Sequence, residues 1–120
     1  MGAVHQTLGW VGVVICGLVG VWGLALHRLN TLPRAFLWSA GGAIVIMLVQ
    51  VLTGLLVMSV DRVEPGSIHV FYGVVIAVTF TFAYIYRVQF RKRPALAYGL
   101  LLLFVMGLGI RGMTAFGVNF

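Results

Sequence analysis

Residues 36–60 read FLWSAGGAIVIMLVQVLTGLLVMSV, a run without one charged side chain. At 1.5 Å per residue, roughly 25 helical residues cover the ~30 Å hydrocarbon core of a bilayer, with some tilt. A helix is the form required there, because every backbone N–H and C=O group must find its partner inside the segment when no water is present. This run therefore predicts one membrane-spanning helix.

Three further apolar runs lie on either side of it, at about residues 4–26, 68–86 and 95–116. The whole chain has 120 residues, of which 62% are hydrophobic and 8% charged, and its mean hydropathy is +1.11. This composition excludes a soluble globular protein. Four segments are too few for a closed barrel, so the sequence predicts an all-α, single-domain membrane bundle of four helices over residues 1–120.

The distribution of basic residues predicts the orientation of this bundle. The connections 27–34 and 87–94 carry six of the eight Lys and Arg residues, whereas 61–67 carries one of them and both acids. The positive-inside rule then puts the first and third connections in the cytoplasm and both termini outside, in a bacterial or archaeal inner membrane. Such short connections favour an up-down bundle. No Lys or Arg precedes the first run, so we expect it to stay in the membrane.

Several function classes are disfavoured by what the chain lacks. One cysteine, Cys16, makes no intramolecular disulfide and no paired-cysteine metal site. Two acids, Asp61 and Glu64, leave little for carboxylate chemistry, so we expect no independent catalytic activity and assign no catalytic residue. The formal charge of +6 indicates topology signals and contact with anionic lipid, and no nucleic-acid partner. The apolar runs lack the broken helix and the chain of acidic residues that would indicate a transporter.

Two histidines open the first and third apolar runs, and the predicted topology puts both at the outer face. Each begins a His-x-x-x-Gly pattern, His5 with Gly9 and His69 with Gly73. One histidine from each of two facing helices supplies the two axial ligands of a haem iron, and a glycine one turn along leaves room for the flat macrocycle. The alternative is that each histidine is an ordinary interfacial residue.

Other polar or small residues in the runs allow two interpretations each. Gln50 makes an interhelical hydrogen bond or supports a ligand histidine or cofactor. Arg111 extends to the lipid headgroups or neutralises the propionates of a haem. A stripe of small residues is more typical of close helix packing than of a ring-binding surface; it consists of Gly9, Gly12, Cys16, Gly20 and Gly23.

The stretch 50–57 (QVLTGLLV), followed after a short connection by 67–70 (SIHV), resembles one half of haem A synthase. Members of that family consist of two four-helix halves, each with a pair of haem-ligand histidines at the outer ends of its first and third helices. The resemblance covers nearly the whole chain as one half. It implies that His5 and His69 are the haem-ligand pair.

The chain departs from that family at the turn before the first histidine. Members of the family have an acidic residue there, which serves the oxidation of the haem methyl group, whereas residues 2–4 of this chain are Gly-Ala-Val. The outer cysteine pair of some members has no counterpart either. The resemblance therefore implies the fold and a haem pocket, and argues against haem A synthesis.

These observations lead to two hypotheses for the function. The first is a small b-type haem protein that passes electrons to or from a quinone or a partner, as a subunit of a respiratory or photosynthetic membrane complex. The second is a haem-free accessory subunit that packs against larger membrane subunits, or against itself, and binds lipid or pigment.

Overall fold

A computed structural model of the chain describes residues 2–62 and 64–117. It contains four long helices, α1 (Gly2–Leu29), α2 (Arg34–Val60), α3 (Ser67–Ile85) and α5 (Pro94–Thr114), and the one-turn helix α4 (Arg87–Phe90). No strand occurs within the described ranges. The prediction of an all-helical chain with four long apolar helices is confirmed. All four are long and apolar enough to cross a bilayer, which indicates a membrane protein.

The end of α1 lies three residues beyond the predicted Leu26. Asn30 adopts a left-handed backbone with φ of 59°, and the Thr31 N–H donates to the Leu26 carbonyl at 3.2 Å. This six-to-one bond is the signature of a helix that ends on a left-handed residue, often Gly or Asn. This bond and the bond from the Asn30 N–H to the His27 carbonyl, also 3.2 Å, satisfy carbonyls of the last turn, so the helix continues past Leu26.

The third connection is also more helical than predicted. Its first residues form α4, and α5 then begins at Pro94 and ends at Thr114, two residues before the predicted end. There the Ala115 N–H is shared between the carbonyls of Arg111 (3.1 Å) and Gly112 (3.3 Å), so the last turn tightens. The predicted end was wrong because apolarity continues through Phe116 after the helical hydrogen bonds have stopped.

Successive long helices run antiparallel. We call the end where α1 and α3 begin the histidine end, because it carries His5 and His69. The opposite end, which carries Arg28, Arg34 and α4, is the basic end. The bundle measures 47 × 24 × 20 Å along its principal axes. Its long axis is close to the ~40–45 Å thickness of a bilayer with its headgroups.

Packing around the bundle is uneven. Helix α1 packs closely against both α5 and α2, and α3 packs against α5, whereas α2 and α3 barely touch. The order around the bundle is therefore α2, α1, α5, α3, with an open side between α2 and α3. The buried core sits mainly on α1, α2 and α5 and includes Cys16, Phe36, Met47, Leu102 and Val105.

Small residues allow the close contact of α1 with α5. A Cβ atom added at Gly20 would lie 3.0 Å from the Gly99 carbonyl oxygen, and one added at Gly23 would lie 2.8 Å from the Ala95 carbonyl oxygen. Backbone atoms of two helices approach this closely only where side chains are absent. The packing interpretation of the small-residue stripe is confirmed at these two positions.

Candidate functional site

A cavity of about 370 Å³ lies between α2 and α3, with α1 and α5 behind it. Most of the residues that line it lie in the half of the bundle nearer the histidine end, and on α3 the lining continues to Thr81. Its lining is mostly apolar, and its polar members among the described residues are His5, Gln50, His69 and Thr81. A mostly apolar pocket with a few convergent polar groups is the usual form of a small-molecule or cofactor site.

The two histidines meet across this cavity. His5 comes from α1 and His69 from α3, two helices that do not pack directly against each other. Their ring centroids are 6.2 Å apart and their planes are nearly perpendicular, at 80°. The structure therefore brings together the two residues that the sequence selected as a ligand pair.

The His5 ring is held by α2. Its Nδ1 lies 3.1 Å from the Gln50 carbonyl oxygen and 3.2 Å from Thr53 Oγ1. The Thr53 hydroxyl itself donates to the Gln50 carbonyl at 2.9 Å, so its oxygen faces His5 as an acceptor. Because both neighbours of Nδ1 are acceptors, the Nδ1 of His5 carries the proton and donates.

The His69 ring is held by α5 in a parallel way. Its Nδ1 donates to the Gly112 carbonyl at 2.7 Å. Gly112 lies in the last turn of α5, where its carbonyl accepts only the long, shared bond from the Ala115 N–H at 3.3 Å and has room for a second donor. On its other side, the ring packs edge-on against Phe116, with centroids 5.4 Å apart.

These bonds fix the same tautomer in both rings. A backbone carbonyl only accepts, so each Nδ1 carries a proton, and in a neutral ring Nε2 is then the nitrogen with the free lone pair. Metal-ligating histidines commonly donate their other ring N–H to a carbonyl or carboxylate, which fixes the ring and its tautomer. The Nδ1 hydrogen bonds of His5 and His69 therefore match those of histidines that coordinate a metal through Nε2.

The glycines near the histidines have three different surroundings. A Cβ atom added at Gly73 would meet nothing within 4 Å, so Gly73 lines open space, as a ring-binding surface requires. At Gly9 it would lie 3.0 Å from Gln50 Nε2, so Gly9 makes room for the glutamine. At Gly54 it would lie 2.9 Å from His5 Cε1, so the glycine one turn after Gln50 makes room for the histidine ring.

Gln50 contributes to the site in two ways. Its carbonyl accepts the interhelical bond from His5, so the bond expected of its side chain is made by its backbone. Its Oε1 is buried and has no hydrogen-bond partner among the described residues. A buried acceptor without a donor is costly, and it is most readily explained by a bound molecule or water in the cavity.

Arg111 lies on the outside of this site. Its guanidinium is exposed, donates to Thr114 Oγ1 at 3.2 Å and lies 5.9 Å from the centre of the Tyr72 ring. It is not among the residues that line the cavity. Both of its predicted roles, at the headgroups or at haem propionates, stay predictions.

The donor set suits a porphyrin better than a bare metal ion. Within residues 2–62 and 64–117, no three His, Cys, Asp or Glu side chains cluster closely enough to hold an ion. Two imidazoles alone leave an ion short of ligands, whereas a porphyrin brings its own equatorial nitrogens. The two imidazoles that would hold such a group already lie close together, with centroids 6.2 Å apart.

Four residues of the site were not selected as site residues from the sequence. Thr53 and Gly112 hold the histidines, Gly54 makes space for His5, and Phe116 packs on His69. The one available signal was Thr53, a polar residue inside an apolar run and next to a glycine. Backbone acceptors such as the Gly112 carbonyl give no signal in a sequence.

No family model, curated protein or solved structure matches the chain. The resemblance to haem A synthase therefore stays a prediction from short motifs.

Proposed function

We propose that the chain is a small membrane b-type haem protein that binds one haem b between His5 and His69. The observation that supports this most is the imidazole pair itself. The two rings meet across a cavity at 6.2 Å, and each donates its Nδ1–H to a backbone carbonyl and keeps its Nε2 lone pair. Packing alone does not require both rings to present the same free nitrogen.

In this proposal the haem supplies a one-electron redox couple. His5 and His69 would hold the iron from two sides of the group, and an iron held by two histidines would have no position open for oxygen and would suit electron transfer. We therefore propose an electron-transfer or accessory subunit of a respiratory or photosynthetic complex, without catalytic activity of its own.

The surrounding residues keep the ligands in a mostly apolar environment. Val51 on α2 and Val74 and Ala77 on α3 line the walls. At the histidine end, Phe116 packs on the His69 ring, and the Gly117 N–H donates to the Pro65 carbonyl at 2.6 Å. This link joins the segment after α5 to the loop before α3.

The proposed orientation puts the basic end in the cytoplasm of a bacterial or archaeal cell and the histidine pair near the outer face. It is supported by the exposed Arg28, Arg34 and Lys92 at the basic end, where the connections carry six of the eight Lys and Arg residues. Anionic lipid headgroups would contact the basic end.

The open side of the bundle bears on the electron partner. Because α2 and α3 barely touch, the cavity opens between them. In the proposed membrane topology this opening would face lipid. The partner we propose is therefore one that approaches within the membrane, such as a quinone, a larger subunit or a second copy of the chain.

Titration of the haem-free protein with haemin in mild detergent tests the proposal. We expect one haemin per chain, with a low-spin spectrum, and loss of tight binding in His5→Ala and His69→Ala. His27→Ala is the matched control, because His27 lies exposed at the basic end. A wild type that takes up no haemin and co-purifies colourless with larger membrane subunits would contradict the proposal and favour the haem-free accessory subunit.

A further inference from the structure

The two histidines differ in what accepts their Nδ1–H. His69 donates to a single backbone carbonyl, that of Gly112, at 2.7 Å. His5 shares its N–H between the Gln50 carbonyl at 3.1 Å and the Thr53 hydroxyl oxygen at 3.2 Å. The His69 bond depends on backbone alone, whereas a side chain takes part in the His5 bond.

Thr53 is unusual among the polar residues of the bundle. Its side chain is only 8% exposed, and among the described residues it is the one polar residue in the buried class. Its hydroxyl proton goes to the Gln50 carbonyl at 2.9 Å. Its oxygen therefore faces His5 with lone pairs only, and it accepts from Nδ1 without competing for the donor role.

A bond from a threonine to its own helix is by itself ordinary. Thr79 and Thr81 on α3 donate to the carbonyls of Val75 (2.7 Å) and Ala77 (2.9 Å), as threonines in apolar helices often do. Neither has a histidine bond to its hydroxyl oxygen in the structure. Back-bonding of this kind does not account for the contact between His5 Nδ1 and the Thr53 hydroxyl oxygen.

We propose that Thr53 is a positioning residue for His5. Its oxygen and the Gln50 carbonyl together hold the Nδ1–H tautomer, so that Nε2 stays unprotonated. By accepting part of the Nδ1–H bond, Thr53 also makes the imidazole a stronger electron donor. This inference rests on the proposed haem site for its redox consequence, whereas the tautomer is a property of the chain itself.

The redox test compares Thr53→Val with wild type and with Thr53→Ser. Valine keeps the branched shape and removes the acceptor, whereas serine restores it. In Thr53→Val we expect haemin affinity about 10-fold lower. We also expect a higher midpoint potential, because a weaker donor stabilises ferric iron less. Thr53→Ser should return both values towards wild type.

The matched control is Thr79→Val. Thr79 makes the same kind of back-bond on α3, and it does not line the cavity. We expect its haemin affinity and midpoint potential to equal those of wild type. A Thr53→Val protein that binds haemin with wild-type affinity and potential would overturn the proposal.

A second readout needs no haem. Imidazole ¹⁵N chemical shifts of the haem-free protein distinguish an Nδ1–H from an Nε2–H tautomer. We expect His5 of wild type to be the Nδ1–H form and its equilibrium to move towards Nε2–H in Thr53→Val. Unchanged His5 shifts in Thr53→Val would overturn the positioning role. A colourless wild type with the expected shifts would reject only the haem proposal.

Discussion

His5 and His69 each cross from their own helix to the backbone of a neighbour, α1 to α2 and α3 to α5. A side chain that bonds a backbone carbonyl satisfies its own donor and holds two helices in register. The acceptors differ, because the Gln50 carbonyl lies in the middle of α2 and the Gly112 carbonyl lies in the last turn of α5. The pair therefore fixes the geometry of the site and of the histidine end together.

The space for the His5 ring depends on Gly54. In Gly54→Ala the new Cβ would lie 2.9 Å from His5 Cε1, so the ring must move and lose its bonds to Gln50 and Thr53. We expect haemin affinity to fall about 10–100-fold, the range for losing the outer partners of a metal ligand. Haemin titration in detergent measures the change.

The matched control for that substitution is Gly41→Ala on the same helix, where an added Cβ meets nothing within 4 Å. We expect wild-type haemin affinity there, and a gain in stability of about 0.5–1 kcal/mol from replacing glycine inside a helix. Equal haemin affinity in Gly54→Ala and wild type would show that His5 does not need this space.

At the scale of elements, α1 organises the bundle. It packs on α5 through Gly20 and Gly23 and on α2 through Gly9 and Gly12, where an added Cβ would meet Gln50 or Met47. Membrane helices associate mainly by close packing, because lipid tails provide no hydrophobic drive between them. The glycines of α1 therefore contribute to the stability of the bundle as well as to the cavity.

We expect Gly23→Ala to destabilise the bundle. Its Cβ would lie 2.8 Å from the Ala95 carbonyl oxygen and 2.9 Å from Gly99 Cα, and these backbone atoms move only if α1 and α5 separate. Overpacking of this kind costs about 1–3 kcal/mol. Reversible unfolding in mixed detergent and SDS micelles measures the change in the free energy of unfolding. The control is Gly107→Ala, whose added Cβ would meet nothing within 4 Å. Equal stability of the two variants would contradict the packing described for α1 and α5.

At the scale of the whole molecule, the open side between α2 and α3 distinguishes this bundle from an evenly packed one. The number of long helices and most of their bounds could be predicted from the sequence, because uncharged runs of sufficient length have one stable form in lipid. The uneven packing could not be predicted, since apolar side chains surround most of each helix and the small-residue stripe of α1 does not say which helix it faces.

The candidate site was predictable in part. His5 and His69 stand out because polar side chains are rare in the apolar runs, and the alternation of helices puts both at one end. The partners of the two rings are mostly backbone carbonyls, which every residue carries, so their positions follow only from the fold. Arg111 stood out for the same reason as the histidines but lies beside the cavity, facing Thr114 and Tyr72.

Single cysteines report on the proposed orientation. In a Cys16→Ala background we expect Glu64→Cys to react with a membrane-impermeant maleimide in intact cells, and Thr31→Cys to react only after lysis, because the basic end should face the cytoplasm. Both positions are exposed in connections. Labelling of Thr31→Cys in intact cells, with Glu64→Cys protected, would reverse the orientation.

The proposed haem site between His5 and His69 is tested most directly by a dithionite-reduced minus oxidised optical spectrum of the protein purified in mild detergent. We expect a sharp b-type band in wild type and in His27→Ala, and its loss in both His5→Ala and His69→Ala. A colourless wild type, or a band that survives in either of those two variants, would contradict the assignment of His5 and His69 as axial ligands.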